Sequence, residues 1–256
     1  MLKEVRGGRN IYGAIIGIIL QERTFPRIPG DMGNASTFDF PVRLHLLKGV
    51  DSSTRWKVFA GDEKLLKLFI NAAKQLEQEG VRAVTSTCGF LIQYQDVIAD
   101  AVSIPVFMSS LLQIPLVYRM LRKDQVIGVI TANAGPKGLG KRHFQAAGAG
   151  DIPIVTIGME GSKGFEAIIP VMDDSLPAGQ DREILYPEQL RDDVVERAKK
   201  LVLENPNVGA IVLECANLPP FAKAVQDAVN LPVFDFVTLT NFVFSAVVRK
   251  EFTGFI

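Results

Sequence analysis

One segment of this chain occurs twice. Val81-Arg-Ala-Val-Thr-Ser-Thr-Cys88 aligns without gaps on Val208-Gly-Ala-Ile-Val-Leu-Glu-Cys215, an offset of 127 residues. The register continues through Asp100-Ala101-Val102 against Asp227-Ala228-Val229, and ends with Pro105-Val106-Phe107 against Pro232-Val233-Phe234. Ten of the 27 positions from 81 to 107 are identical, and the chain's two cysteines coincide. Apolar patterning alone would not match Cys, Asp and Pro as well. The repeat therefore predicts two copies of one structural unit.

Each copy reads as an α/β unit. Leu65, Phe69, Ala72 and Leu76 recur at helical spacing in Glu63 to Glu79, and Gly80 ends the run. Val81 to Thr85 is a short, β-branched strand with Cys88 beyond its carboxyl end, followed by a helical segment, Leu91 to Val102. In the second copy Leu190, Val194, Ala198 and Leu201 line a helix, Val208 to Leu213 is a strand, and Cys215 follows it. Asn217 suits an N-cap there, with Pro219 and Pro220 in the first turn. Further strands are expected at Ala14–Leu20, Ile104–Phe107, Val126–Thr131, Ile152–Ile157 and Leu231–Phe234. Alternating strands and helices predict an α/β protein of two pseudosymmetric, doubly wound lobes with parallel sheets. In such sheets ligands bind beyond the carboxyl ends of the strands, where both cysteines lie. Arg27–Pro41 and Met172–Glu188 read as connecting loops, either of which could cover a cleft between the lobes.

Composition excludes several classes. Apolar residues make up 48% of the 256, enough for a large core, and 28 basic residues balance 28 acidic ones, leaving no footprint for a nucleic-acid partner. Lys3, Arg6 and Arg9 precede the apolar stretch Ile11–Leu20, but Gln21-Glu22-Arg23 follows it without a small-residue cleavage site. The expectation is a buried strand and a cytoplasmic protein, with no run long enough to span a bilayer. Two cysteines cannot complete a tetrahedral zinc site, and His45 and His143 lack Cys or His neighbours at ligand spacing, so no metal is expected. Gly135-Pro-Lys-Gly-Leu-Gly140-Lys141 satisfies most of a P-loop, but Arg142 replaces the hydroxyl that would hold Mg²⁺. Only Asp235 offers a later magnesium ligand.

Two thiols at matching strand ends suit proton transfer at carbon. Stereoinversion removes a proton from one face and returns one to the other. Cysteine serves both roles because its ordinary pKa, ~8.5, lies near neutrality. A helix amino terminus would favour the thiolate, and its amides would hold a substrate anion.

Thr85-Ser-Thr-Cys88-Gly-Phe90 and Leu213-Glu-Cys215-Ala-Asn-Leu-Pro-Pro220, on duplicated α/β halves, resemble the aspartate/glutamate/hydantoin racemase superfamily. The loop Phe25–Asn34 also looks like a form found in one uncharacterised amino-acid-racemase-like branch. The resemblance implies a cofactor-independent racemase or epimerase acting next to a carboxylate or carbonyl, on an amino acid, a derivative or a hydantoin. It implies Cys88 and Cys215 as the acid/base pair. Thr87, Gly89, Phe90, Ala216 and Asn217 would surround the substrate anion, Thr131 and Asn133 would reach the same cleft, and Arg27 would pair with a carboxylate. It also implies a homodimer, and a last segment, 231–256, that packs back on a first lobe of residues 1–102, leaving 103–230 as the second. The sequence departs from glutamate racemases in placing Ala216-Asn217 where they carry Thr-His. Cis-trans isomerases and decarboxylases of dicarboxylic acids share the fold, and a non-catalytic small-ligand-binding protein is the further alternative. An intact cysteine pair favours racemisation over decarboxylation but does not separate the isomerases.

Overall fold

The computed structural model describes residue 4, residues 7–168 and residues 184–255. The strands are β1 (Ile16–Gln21), β2 (Val42–Leu47), β3 (Ala83–Ser86), β4 (Val106–Phe107), β5 (Val126–Thr131), β6 (Ile154–Gly158), β7 (Val208–Leu213) and β8 (Val233–Phe234). The helices are α1 (Arg55–Ala60), α2 (Glu63–Glu79), α3 (Gln95–Asp100), α4 (Ile114–Met120), α5 (Lys141–Ala146), α6 (Pro187–Glu204), α7 (Ala222–Val229) and α8 (Phe236–Val247). They build two four-stranded sheets, ordered β2-β1-β3-β4 and β6-β5-β7-β8, and every pairing is parallel. The central strands β1, β3 and β7 are buried along their whole length, as strands covered on both faces must be.

The repeat is legible in this order. In each sheet the chain runs from the inner strand (β1 or β5) to one edge, then crosses back to the inner strand's other side (β3 or β7). Loops leaving β1 and β3 thus diverge, as do those leaving β5 and β7, and a crevice opens at each switch point. Glu63 to Glu79 is the predicted helix, capped by the Asp62 carboxylate on the Lys64 and Leu65 amides and ended by Gly80 at φ 95°. Its buried face carries Leu65, Phe69, Ala72 and Leu76. In α6, Pro187 opens the helix, and Leu190, Val194, Ala198 and Leu201 are buried as predicted.

Several expectations are revised. Strand β2 lies where no strand is expected from the sequence. It is an edge strand of mixed exposure, where Arg43 alternates with apolar residues and forms an ion pair with Glu79 of α2 at 2.7 Å. The helix predicted over 91–102 begins as a 3-10 turn, Gly89–Tyr94, before α3. The expected lobe boundaries at 103 and 231 fall ahead of β4 and β8, yet each of these strands pairs with the sheet that precedes it in the chain. The crossings between halves therefore come after those strands. Helix α8 does return to the first half: Phe236 and Leu239 pack with Ile16, Ile18 and Leu20, and Phe244 stacks on Phe40 with ring centres 3.7 Å apart. Asp235 is the N-cap of α8, accepting from the Thr238 amide at 2.8 Å, which leaves it no role at a P-loop. Among the described residues no helix is long and apolar enough to cross a membrane. Most of the expected connection 172–188 lies outside the described residues.

The loop after β1 is not a free connection. Residues 27–41 fold around a 3-10 turn at Ala35–Thr37 and lean on the second half: the Met32 amide donates to the Ala216 carbonyl at 3.3 Å. Gly30 sits at φ 98°, and a Cβ there would lie 2.7 Å from the Pro220 Cα. Left-handed backbone and close approach both demand glycine. Gly30→Val is expected to cost about 2 kcal/mol or more in urea denaturation; an unchanged midpoint would show that this contact does not hold the loop.

Candidate active site

Both cysteines open into one pocket. It is small, about 40 Å³ of water-accessible cavity, and its walls come from the switch points of both sheets. Gln21, Arg23, Phe25 and Arg27 come from the end of β1 and its loop; Thr87, Cys88, Gly89 and Phe90 follow β3. Ala132 follows β5, and Glu214, Cys215 and Asn217 follow β7, with Arg55 of α1 and Ile168 completing the lining. The two cysteine loops are built alike. The Thr87 amide donates to the Ile19 carbonyl of β1 at 3.1 Å, and the Glu214 amide to the Ile130 carbonyl of β5 at 2.8 Å. After each cysteine the chain turns tightly, Leu91 N–H to the Cys88 carbonyl and Leu218 N–H to that of Cys215.

Cys215 is buried and ends a chain of polar contacts that joins the halves. Its thiol donates to Asn217 Oδ1 at 3.4 Å, the Asn217 amide donates to Asp31 Oδ2 at 2.6 Å, and Asp31 Oδ1 accepts from Arg27 Nη1 at 2.9 Å. Asn217 is therefore not the expected N-cap; the following turn has Leu218 there, without a side-chain cap. Arg27 lines the pocket, with its guanidinium shared with Asp31 and lying 4.9 Å over the Phe25 ring. Cys88 keeps some exposure, and Phe90 behind it stacks on Phe59 and meets the buried His143 edge-on.

Of the expected site residues, Cys88, Cys215, Thr87, Gly89, Phe90, Asn217 and Arg27 line the pocket together. Thr131, Asn133 and Ala216 do not line it. Thr131 acts through Glu214, donating to Oε2 at 2.7 Å. Asn133 organises its own loop by accepting the Gly135 amide at 2.8 Å, and Ala216 anchors Met32. Sequence reasoning missed Gln21, Arg23, Arg55 and Glu214. Arg23 is fixed by Gln21 Oε1 at 2.6 Å and the Val50 carbonyl at 3.2 Å, and the buried Arg55 donates to the Ile168 carbonyl at 3.4 Å. The signal for Glu214 was in the repeat itself, a charged residue in an otherwise apolar strand end, at the position equivalent to Thr87.

The electrostatics correct the expectation of a thiolate poised near neutrality. Cys88 starts a 3-10 turn rather than an α-helix. Burial, reinforced by the Glu214 carboxylate, pushes its thiol up to about 11; the Phe90 amide and Arg23 oppose this only in part. Cys215 is likewise raised well above its ordinary value, first by burial and then by the Glu214 carboxylate. Desolvation outweighs the turn's amides because the charged form loses water on all sides. Burial also lifts Glu214 to about 7, against the bonds from Thr131 and the Ala132 amide. Glu214 Oε1, Thr87 Oγ1 and Gln21 Nε2 are buried without a hydrogen-bond partner, three of the five such side-chain atoms among the described residues. All three residues line this pocket, and the Gln21 side chain also hydrogen-bonds Cys88, so polar groups are concentrated around the cysteines. No cluster of three or more His, Cys, Asp or Glu able to hold a metal occurs among the described residues.

Solved structures similar to this one include an arylmalonate decarboxylase (TM-score 0.56, 14% identity, 91% of this chain and 92% of that one). A glutamate racemase from Bacillus anthracis aligns with TM-score 0.57 at 12% identity, over 92% of this chain and 82% of its own. An allantoin racemase from Pseudomonas fluorescens aligns with TM-score 0.53 at 14%, over 92% and 91%. The chain has the two-lobed racemase-like fold. Its sequence relatives carry another name. A dimethylsulfoniopropionate lyase from Durusdinium sp. clade D is 29% identical over 239 residues, 91% of this chain and 75% of the relative. Dimethylsulfoniopropionate lyase 7 from Emiliania huxleyi (strain CCMP1516) is 31% identical over 234 residues, 88% of this chain but 65% of the relative. Further Emiliania huxleyi lyases are spanned over 45 to 58% of their length. No protein-family model matches the chain.

The raised thiols and carboxyl have measurable consequences. In the free protein, alkylation of Cys88 by iodoacetamide is expected to accelerate about tenfold per pH unit up to pH 10; a plateau near pH 7 would contradict the burial argument. A carboxyl whose proton is held more tightly in the folded chain stabilises the fold while protonated. That contribution is complete below the ordinary carboxylate range and is lost as pH rises through about 7. Glu214→Gln should therefore gain about 1–3 kcal/mol relative to wild type between pH 5 and pH 8, read from urea melts at both values. The difference between variants isolates Glu214 from the buried His143, held down to about 4 by desolvation, whose effect runs oppositely.

Proposed function

We propose that this chain is an enzyme that removes the proton next to the carboxylate of a small acid, with Cys88 and Cys215 as its acid/base groups, and that the reaction ends in β-elimination. The observation that carries the proposal is the opening of two cysteines, from equivalent positions of the two halves, into one pocket. A thiolate on one side takes the α-proton, and charge develops on the carboxylate, where Arg23, Arg27 and Arg55 line the wall. The fate of that intermediate depends on the β-carbon. With a good leaving group there, the electron pair forms a carbon–carbon double bond and the β-bond breaks. For dimethylsulfoniopropionate the products are dimethyl sulfide and acrylate, and the proton stays on sulfur until it returns to solvent. The names of the sequence relatives support this outcome. The pocket's modest size suits a substrate with no large side chain.

A second reading, racemisation of an amino acid, a derivative or a hydantoin, is favoured by one observation. Elimination needs a single base, whereas two opposed thiols suit removal and return of a proton on opposite faces. Here Cys215, whose thiol is bonded to Asn217, would be the proton donor and Cys88 the base.

The two readings separate in one experiment. Purified protein is given dimethylsulfoniopropionate, with dimethyl sulfide and acrylate measured, and separately amino acids and 5-substituted hydantoins in D₂O, with α-deuterium measured. Elimination is expected. Of Cys88→Ala and Cys215→Ala, one should lose at least about a hundredfold and the other stay within about tenfold of wild type. Deuterium exchange with inversion, lost in both variants, would establish racemisation instead. Absence of both reactions would remove the proposal.

A further inference from the structure

Proton transfer between the cysteines leaves one buried ionisable group in the pocket unused. Glu214 is fully buried, and its backbone is pinned by Ser110 Oγ, which donates to the Leu213 carbonyl at 2.8 Å. Its two carboxyl oxygens differ. Oε2 accepts from Thr131 Oγ1 at 2.7 Å, whereas Oε1 is buried without a partner. Oε1 lies against Gly89: a Cβ on that residue would stand 2.1 Å from Oε1 and 2.4 Å from the Glu214 carbonyl oxygen. Glycine after Cys88 is thus what leaves room for this carboxyl beside the thiol. The repeat adds a second observation. Thr87, equivalent to Glu214 in the other half, also lines the pocket with an unpartnered buried oxygen. The residue before each cysteine thus lines the pocket and carries a buried polar atom without a hydrogen-bond partner.

We propose that Glu214 works as a neutral acid and donates its Oε1 proton to a carboxylate oxygen of the substrate, where negative charge grows as the α-proton leaves. The inference rests on the reading of the pocket as a site for small carboxylates. An ionised Glu214 is an acceptor only and would repel a substrate carboxylate; a neutral one offers a donor that no protein group consumes. The same neutral form removes the negative charge that opposes ionisation of both cysteines. Burial sets this state, with the proton retained up to about pH 7. The charged groups that share the pocket are Cys88 and Cys215, Arg23 and Arg27 from the loop after β1, and Arg55 of α1. Asp31 stands behind Asn217, and His143, kept neutral above about pH 4, stands behind Phe90. No bond is made or broken by Glu214 beyond the sharing of its proton, which it recovers when product leaves.

The test uses acrylate, a carboxylate with no sulfonium group, so that binding is read without turnover. Its affinity is measured by calorimetry from pH 5.5 to 8.5 on wild type, Glu214→Gln and Glu214→Leu, each checked for folding by circular dichroism. Wild-type affinity should be level below about pH 7 and then fall towards tenfold per pH unit. Glu214→Gln keeps a donor and should hold its affinity across the range, while Glu214→Leu should bind at least about tenfold more weakly than Glu214→Gln at every pH. The proposal is overturned by affinity that is flat or rises with pH in wild type, by a decline in Glu214→Gln that matches wild type, or by no acrylate binding at pH 6. Were neither elimination nor racemisation observed while acrylate still bound with this pH pattern, the reaction would be misread but the role of Glu214 would stand.

Discussion

The pocket exists because two parallel sheets of the same strand order bring the carboxyl ends of β3 and β7 to one place. Each sheet opens at its own switch point, and the loops that leave those points carry Cys88 and Cys215. The halves are held in register by polar contacts as well as by apolar packing. Asp31, on the loop after β1, takes the Asn217 amide at 2.6 Å and Arg27 at 2.9 Å, so the first half directly positions the residue that receives the Cys215 thiol. An interaction spanning 186 residues of sequence thereby fixes an atom of the candidate chemistry.

Burial is what gives the pocket its chemical character. It raises both thiols and the Glu214 carboxyl, so the resting site holds its protons rather than presenting a ready thiolate. A base of this kind is scarce at neutral pH but strong when formed. Arg23, Arg27 and Arg55 add positive charge to the wall of the same pocket, which suits a small acid. Deprotonation at carbon is the step shared by racemisation and β-elimination. Those two reactions diverge only afterwards, at the β-carbon, while the pocket's groups serve the shared step itself.

Much of this was readable in the sequence because a duplicated pattern carries its own control. The gapless match of residues 81–107 with 208–234 located β3, β7 and the paired cysteines, and apolar spacing located α2 and α6. Strand β2 escaped because an edge strand keeps charged residues, and Arg43 and His45 break its apolar signal. Arg23 and Arg55 escaped because no local pattern tells a pocket-facing arginine from a solvated one. Glu214 could have been suspected, being a carboxylate at the end of a strand whose other residues are all buried. The thiol ionisation was misjudged for a physical reason: the spacing suggested helix amino termini, whereas tight 3-10 turns form and desolvation dominates.

The proposed chemistry requires that a cysteine sulfur of this pocket reach the α-carbon of a bound small acid. A crystal structure with a small carboxylate bound would test this most directly. The expected result is an α-carbon within about 3–4 Å of at least one of the two Sγ atoms, with the carboxylate turned toward the arginine-lined wall. A ligand that contacts neither sulfur, or that binds outside this pocket, would contradict it.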